Sequence, residues 1–135
     1  MKNTVFDSYA LLAFIFDEPG ADQVADTFKL ALQDKKRIFM CTVNWSETMY
    51  ITIRAKSKNA WKSTQSHLRD LPIQLVEADI ALSEVAAEFK ASCEMSLADA
   101  YAAALTKVKK AELVTGDPAF EALKQTLKHI VWLDQ

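Results

Sequence analysis

Short apolar runs alternate along the whole chain with longer stretches in which apolar residues recur every three or four positions. The runs Thr4-Val5-Phe6, Ile38–Cys41, Ile73–Val76, Glu112–Thr115 and His129–Leu133 predict five strands. They are rich in Ile, Val, Phe and Leu, as strands are when both faces of a sheet are covered. Helices are predicted over Ser8–Phe16, Ala21–Leu32, about Asn44–Ala55, Asn59–Leu68, Asp79–Ser92, Leu97–Lys109 and Pro118–Leu127. In the second of these, Val24, Phe28, Ala31 and Leu32 share one face. Asp17-Glu18-Pro19-Gly20 and Asp34-Lys35-Lys36 read as turns. Strands separated by helices imply right-handed crossovers and a largely parallel sheet. The expected fold is therefore α/β, a three-layer α/β/α arrangement around a mostly parallel, about five-stranded sheet. With no repeat, linker or low-complexity segment, residues 1–135 are expected to form one domain.

Composition narrows the class. Half of the 135 residues are hydrophobic and a quarter charged, which suits a globular domain with a real core. The net charge of −2 gives no overall pull toward a polyanion, but the charge is segregated. Arg54, Lys56, Lys58, Lys62 and Arg69 occur without an intervening acid, whereas Glu77, Asp79, Glu84, Glu88, Glu94 and Asp99 face only Lys90. The first segment suits a polyanion such as RNA, with Arg54, Lys56, Lys58 and Lys62 on phosphates and Trp61 on an unpaired base. The plainer reading makes both segments solvated helix faces and Trp61 an anchor between helices. Cys41 and Cys93 have no metal-ligand or redox spacing, so both are expected as buried free thiols, consistent with a reducing cytoplasm. The longest apolar stretch, Tyr9–Phe16, is too short to span a bilayer.

The candidate chemistry lies in four acids: Asp7, Glu47, Asp99 and Asp117. Each sits where an apolar run gives way to a predicted helix start. Each also has a structural use. Asp7 suits an N-cap, and Asp117 before Pro118 has a cap-plus-N1 signature. Ser96-Leu97-Ala98-Asp99 and Asn44-Trp45-Ser46-Glu47 have the spacing of capping boxes. Capping and chemistry do not compete, because helix N-termini favour nearby carboxylates. Since parallel α/β sheets bind ligands outside the carboxyl ends of their strands, the four acids are expected to converge. Such a cluster needs neutralising, and Mg²⁺ or Mn²⁺ on oxygen ligands is the usual means, with phosphoryl chemistry as its usual use. His67 and His129 are too isolated to serve as bases, and Lys107, Lys109 and Lys110 suit a helix C-terminus.

Val5-Phe6-Asp7-Ser8-Tyr9-Ala10-Leu11-Leu12, followed by Asp17-Glu18-Pro19-Gly20, resembles the opening of PIN-domain ribonucleases, especially VapC-type toxins. Asn44-Trp45-Ser46-Glu47, Met95-Ser96-Leu97-Ala98-Asp99-Ala100 and Leu113-Val114-Thr115-Gly116-Asp117-Pro118-Ala119-Phe120 are similar to that family's later acidic motifs, in order. Trp45 is bulkier than the residue the second motif normally carries beside its acid. The resemblance implies an endoribonuclease that hydrolyses RNA by metal-activated water, usually dimeric and neutralised by a small VapB-like antitoxin. Asp7 and Asp99 would be the main ligands of one or two Mg²⁺ or Mn²⁺ ions. Glu47 and Asp117 would often act through water, with Ser8 and Thr115 as hydrogen-bonding supports. The apolar face of Leu12, Phe14, Phe16 and Phe28 offers either a groove for a partner helix or simply core. The competing function is a PIN-like module that binds RNA or protein without chemistry.

A glycine loop for phosphate is excluded, because Gly20 and Gly116 stand alone. Phosphoaspartate chemistry would want an acid at the position of Tyr9. Serine or cysteine catalysis lacks a base.

Overall fold

A computed structural model describes residues 1–135. Five strands, β1 (Lys2–Phe6), β2 (Lys36–Cys41), β3 (Ile73–Val76), β4 (Glu112–Thr115) and β5 (Ile130–Trp132), form one sheet in the order β3-β2-β1-β4-β5. All four pairings are parallel. The helices are α1 (Ser8–Ile15), α2 (Ala21–Leu32), α3 (Thr42–Ala55), α4 (Lys58–Leu68), α5 (Ile80–Ser92) and α6 (Leu97–Val108). The three-layer parallel fold expected from the alternating pattern is the one observed.

Period-two alternation within each strand splits the core in two. Val5, Phe39, Cys41 and Leu113 point into one layer, against Leu82, Phe89, Ala103 and Leu105 of α5 and α6. Their strand neighbours Phe6, Ile38, Met40 and Val114 point the other way, against Leu11, Val24 and Phe28 of α1 and α2 and Trp61 and Leu68 of α4. Phe6 and Phe14 both meet the Phe28 ring edge-on. Phe28 is therefore core, which removes it from any partner groove, while Leu12, Phe14 and Phe16 remain half-buried.

Several local readings need correction. The segment after Asp117 is a 3-10 turn over Pro118–Leu123, not a helix to Leu127, so Leu123 and Leu127 reach the core from an irregular segment. Leu32 ends α2 pointing into solvent. Cys41 is buried as expected, but Cys93 is only half-buried. Most consequentially, α3 begins two residues before Asn44, and its N-cap, Cys41, makes no side-chain cap. Asn44 and Glu47 are thus not a capping box; Glu47 lies in the second turn.

The strand order places the site. Connections leaving β1 and β4 diverge, β1 leading toward β2 and β4 toward β5, so the sheet's switch point lies between them. Crevices at such points are where open α/β sheets take ligands. The register Phe6↔Val114 sets Asp7 directly beside Thr115.

Candidate metal centre

Asp7 is the first residue beyond β1 and the N-cap of α1, its extended backbone releasing the chain from strand to helix. Its Oδ1 accepts from the Ala10 amide at 2.9 Å. Its Oδ2 accepts from the Thr115 hydroxyl at 2.5 Å. The same Thr115 oxygen accepts from the Asp117 amide at 3.0 Å, so one hydroxyl ties the ends of both central strands together. Asp117 caps the 3-10 turn, its Oδ1 accepting from Ala119 at 2.9 Å ahead of Pro118. Asp99 stands in the first turn of α6, whose Ser96 N-cap receives the Asp99 amide at 3.1 Å. Glu47 reaches the group from α3, where its Oε1 accepts from the Ser8 hydroxyl.

Burial and neighbouring charge perturb Asp7 and Asp99 strongly. Asp7 is 1% exposed and Asp99 8%. Desolvation pushes the Asp7 carboxyl up to about 7, against the hydrogen bonds from Thr115 and Ala10, with Asp99 and Asp117 adding repulsion. Asp99 is also pushed up to about 7, by burial first, then by the charge of Asp117, a hydrogen bond shared with the Asp117 carboxyl, and the charge of Glu47. The four acids singled out in the sequence therefore feel one another in space, and Ser8 and Thr115 each hold one of them.

This all-oxygen donor set suits a hard divalent cation. No three acid, histidine or cysteine side chains close around a common point as a ready-made cage.

Beside Glu47 lies a cleft of about 370 Å³ lined by Thr42, Val43, Ser46, Tyr50 and Ala98. Tyr50 is exposed there, with the Arg54 guanidinium 5.0 Å from its ring centroid and its hydroxyl 3.5 Å from Glu47 Oε2. Trp61, the aromatic residue singled out in the sequence, is 3% exposed and meets Trp45 edge-on at 5.3 Å. The plainer reading of Trp61 holds: it anchors α4 on α3. The bulk of Trp45 fills that same contact. Arg54, Lys56, Lys58 and Lys62 are all exposed along the end of α3 and the start of α4. Tyr50 escaped the sequence reading, and Asn44, read there as the start of a capping box, is instead buried within α3. They stand at i+3 and i−3 from Glu47, a spacing that puts neighbours on a helix face within reach of one another.

The sequence model of the PIN domain family matches residues 4–125. VapBC2 from Rickettsia felis, solved bound to a DNA fragment from its promoter, is similar in structure at TM-score 0.79 and 15% identity, covering 98% of this chain and 99% of that one. DNA-bound VapBC from Salmonella typhimurium gives 0.77 at 13% identity, covering 97% and 98%. VapC20 from Mycobacterium tuberculosis, a sarcin-ricin loop cleaving toxin, gives 0.69 at 16% identity, covering 88% and 93%. No curated protein matches the chain in sequence. At these identities the structural likeness is one of fold. The family match spans nearly the whole length, and the chain belongs to the PIN domain family, with the fold seen in VapBC toxin–antitoxin structures.

Proposed function

We propose that the chain is a Mg²⁺- or Mn²⁺-dependent endoribonuclease hydrolysing RNA phosphodiester bonds, and the toxin of a type II toxin–antitoxin pair. The observation that carries this reading is the chain of mutual repulsion at the switch point, Asp7 feeling Asp99 and Asp117 and Asp99 feeling Asp117 and Glu47, with Asp7 and Asp99 both pushed up to about 7. On this reading Asp7 and Asp99 hold the cation directly, and Glu47 and Asp117 through water. When bound, the cation supplies Lewis-acid stabilisation of charge on the scissile phosphate.

The chain's own residues do the remaining work. Ala10 and Thr115 fix the Asp7 carboxylate, and Ser8 fixes Glu47. Tyr50, backed by Arg54, presents an exposed ring at the cleft on which an unpaired base stacks, the role that buried Trp61 cannot take. Arg54, Lys56, Lys58 and Lys62 contribute phosphate contacts that weaken as salt rises. A small antitoxin partner is supported by similar folds solved as toxin–antitoxin complexes from Rickettsia felis, Klebsiella pneumoniae and Salmonella typhimurium. A homodimer and a cytoplasmic location complete the proposal. No helix is long and apolar enough to cross a membrane.

The test is cleavage of a structured RNA with and without Mg²⁺ or Mn²⁺, by the wild type and by Asp7→Asn and Asp99→Asn. Cation-dependent cleavage is expected in the wild type and a loss of at least about a hundred-fold in each variant. Equal cleavage under all conditions would end the reading. Heat on Mn²⁺ titration without any cleavage would point instead to a binding module that does no chemistry.

A further inference from the structure

The fully buried side chains of α3 are Asn44, Thr48 and Thr52, a polar stripe at four-residue spacing where apolar residues are the rule. Thr48 and Thr52 satisfy their hydroxyls within α3, each donating at 2.8 Å to the carbonyl four residues earlier. Asn44 does not. Its Nδ2 crosses to another helix and donates at 3.0 Å to the carbonyl of Ala98, the residue before Asp99. Its Oδ1 is the one buried side-chain nitrogen or oxygen in the molecule without a hydrogen-bond partner. A buried, unpaired amide oxygen is destabilising, and an apolar side chain of similar size would avoid it. Stability alone therefore gives no reason for an asparagine here.

Position gives one. Glu47 stands one turn further along α3 and Asp99 one residue beyond the carbonyl that Asn44 holds. On its other side Glu47 is held by Ser8 of α1. We infer that Asn44 is a positioning residue whose carboxamide ties α3 to the first turn of α6 and so sets the separation of Glu47 and Asp99. The inference rests on the metal-site reading above and adds a residue that neither touches an ion nor reacts.

The test uses Asn44→Leu, which removes both the tie and the unpaired oxygen, and Asn44→Thr, whose hydroxyl is expected to turn back on its own helix as those of Thr48 and Thr52 do. Three quantities are measured in the full chain: thermal midpoint, Mn²⁺ affinity by calorimetry, and amide hydrogen exchange along α6. The leucine variant is expected to be as stable as the wild type or more so. In both variants Mn²⁺ affinity falls about ten-fold, as for other residues that orient metal ligands. Exchange quickens at Asp99 and Ala100 but not at Leu105. Wild-type affinity and exchange in a folded variant would overturn the inference. So would a loss of affinity that tracks a lowered midpoint with faster exchange throughout α6, the mark of a purely structural residue. If the wild type binds no Mn²⁺ yet exchange still quickens at Asp99, the tie stands and the metal-site reading fails.

Discussion

In the unfolded chain Asp7 and Asp99 titrate near 3.8, whereas in the fold both hold their protons to about 7. Below the lower value both states are protonated, and the stability linked to these sites is complete. As pH rises the unfolded chain ionises first, so stability drains away until the folded groups ionise, and it levels above about 7. Thermal melting without divalent cation is expected to show this decline, on the order of a few kcal/mol, with Mn²⁺ reversing it on the alkaline side. Asp7→Asn should flatten the decline and stabilise the cation-free protein at about pH 8; a variant that melts with the wild-type pH profile would contradict the assigned burial. Gly116 poses a different constraint. A Cβ there would stand 2.3 Å from the Tyr9 ring, so Gly116→Ala has to push α1's tyrosine aside or displace Asp117. A loss of about 1–3 kcal/mol is expected in chemical denaturation, together with weaker Mn²⁺ binding. At this scale Asp7, Asp99 and Asp117 were legible in the sequence because a strand end or a cap marks each, whereas Glu47 stood out only through a capping box that α3 does not form. Tyr50 was not, because exposure is decided by how α3 lies on its neighbours and not by the residue's own identity.

The elements carry their own lesson about capping. Asp79 caps α5 as Asp7 caps α1 and Asp117 the 3-10 turn, each carboxylate accepting an amide two or three residues on. Of the three, Asp79 alone takes no part in the mutual repulsion that raises Asp7 and Asp99. Asp79→Ala should therefore cost about 1 kcal/mol in denaturant and leave Mn²⁺ affinity untouched, whereas Asp117→Ala should lower both. Calorimetry on the two variants separates an acid that only caps from one that also serves the site. Strands β1 to β5 were legible because buried parallel strands announce themselves as apolar runs. The start of α3 was not: Thr42-Val43 continues the apolar run of β2 without a side-chain cap, so nothing local marks the change. The 3-10 turn was misread because Pro118 and Asp117 signal a helix start while the packing of Phe120, Leu123 and Leu127 decides its length.

Across the whole molecule, charge is divided between the two ends of the sheet. The four acids proposed to form the site lie toward the carboxyl ends of β1 and β4. At the opposite end Glu112 is 3% exposed at the start of β4, paired with Lys36 at 3.0 Å and bonded by Thr4 at 3.2 Å. Lys36→Ala leaves that carboxylate short of its main partner and should cost about 1–3 kcal/mol, with Mn²⁺ affinity unchanged because the sheet separates the two ends. A change in metal binding would show that the ends communicate. The parallel order with its switch at β1 and β4 could be anticipated only as a class, since a pattern of strands and helices fixes neighbours in sequence and leaves neighbours in space to packing.

One consequence follows from the polar stripe of α3. The fully buried side chains of α3 are an amide and two hydroxyls, while Val43, Trp45 and Ile53 supply its apolar grip from half-buried positions. Both hydroxyls turn back on α3 itself, so of the three groups only the Asn44 amide reaches a neighbouring helix. A side-chain amide is thus the one hydrogen-bonded link between the helix bearing Glu47 and the helix bearing Asp99.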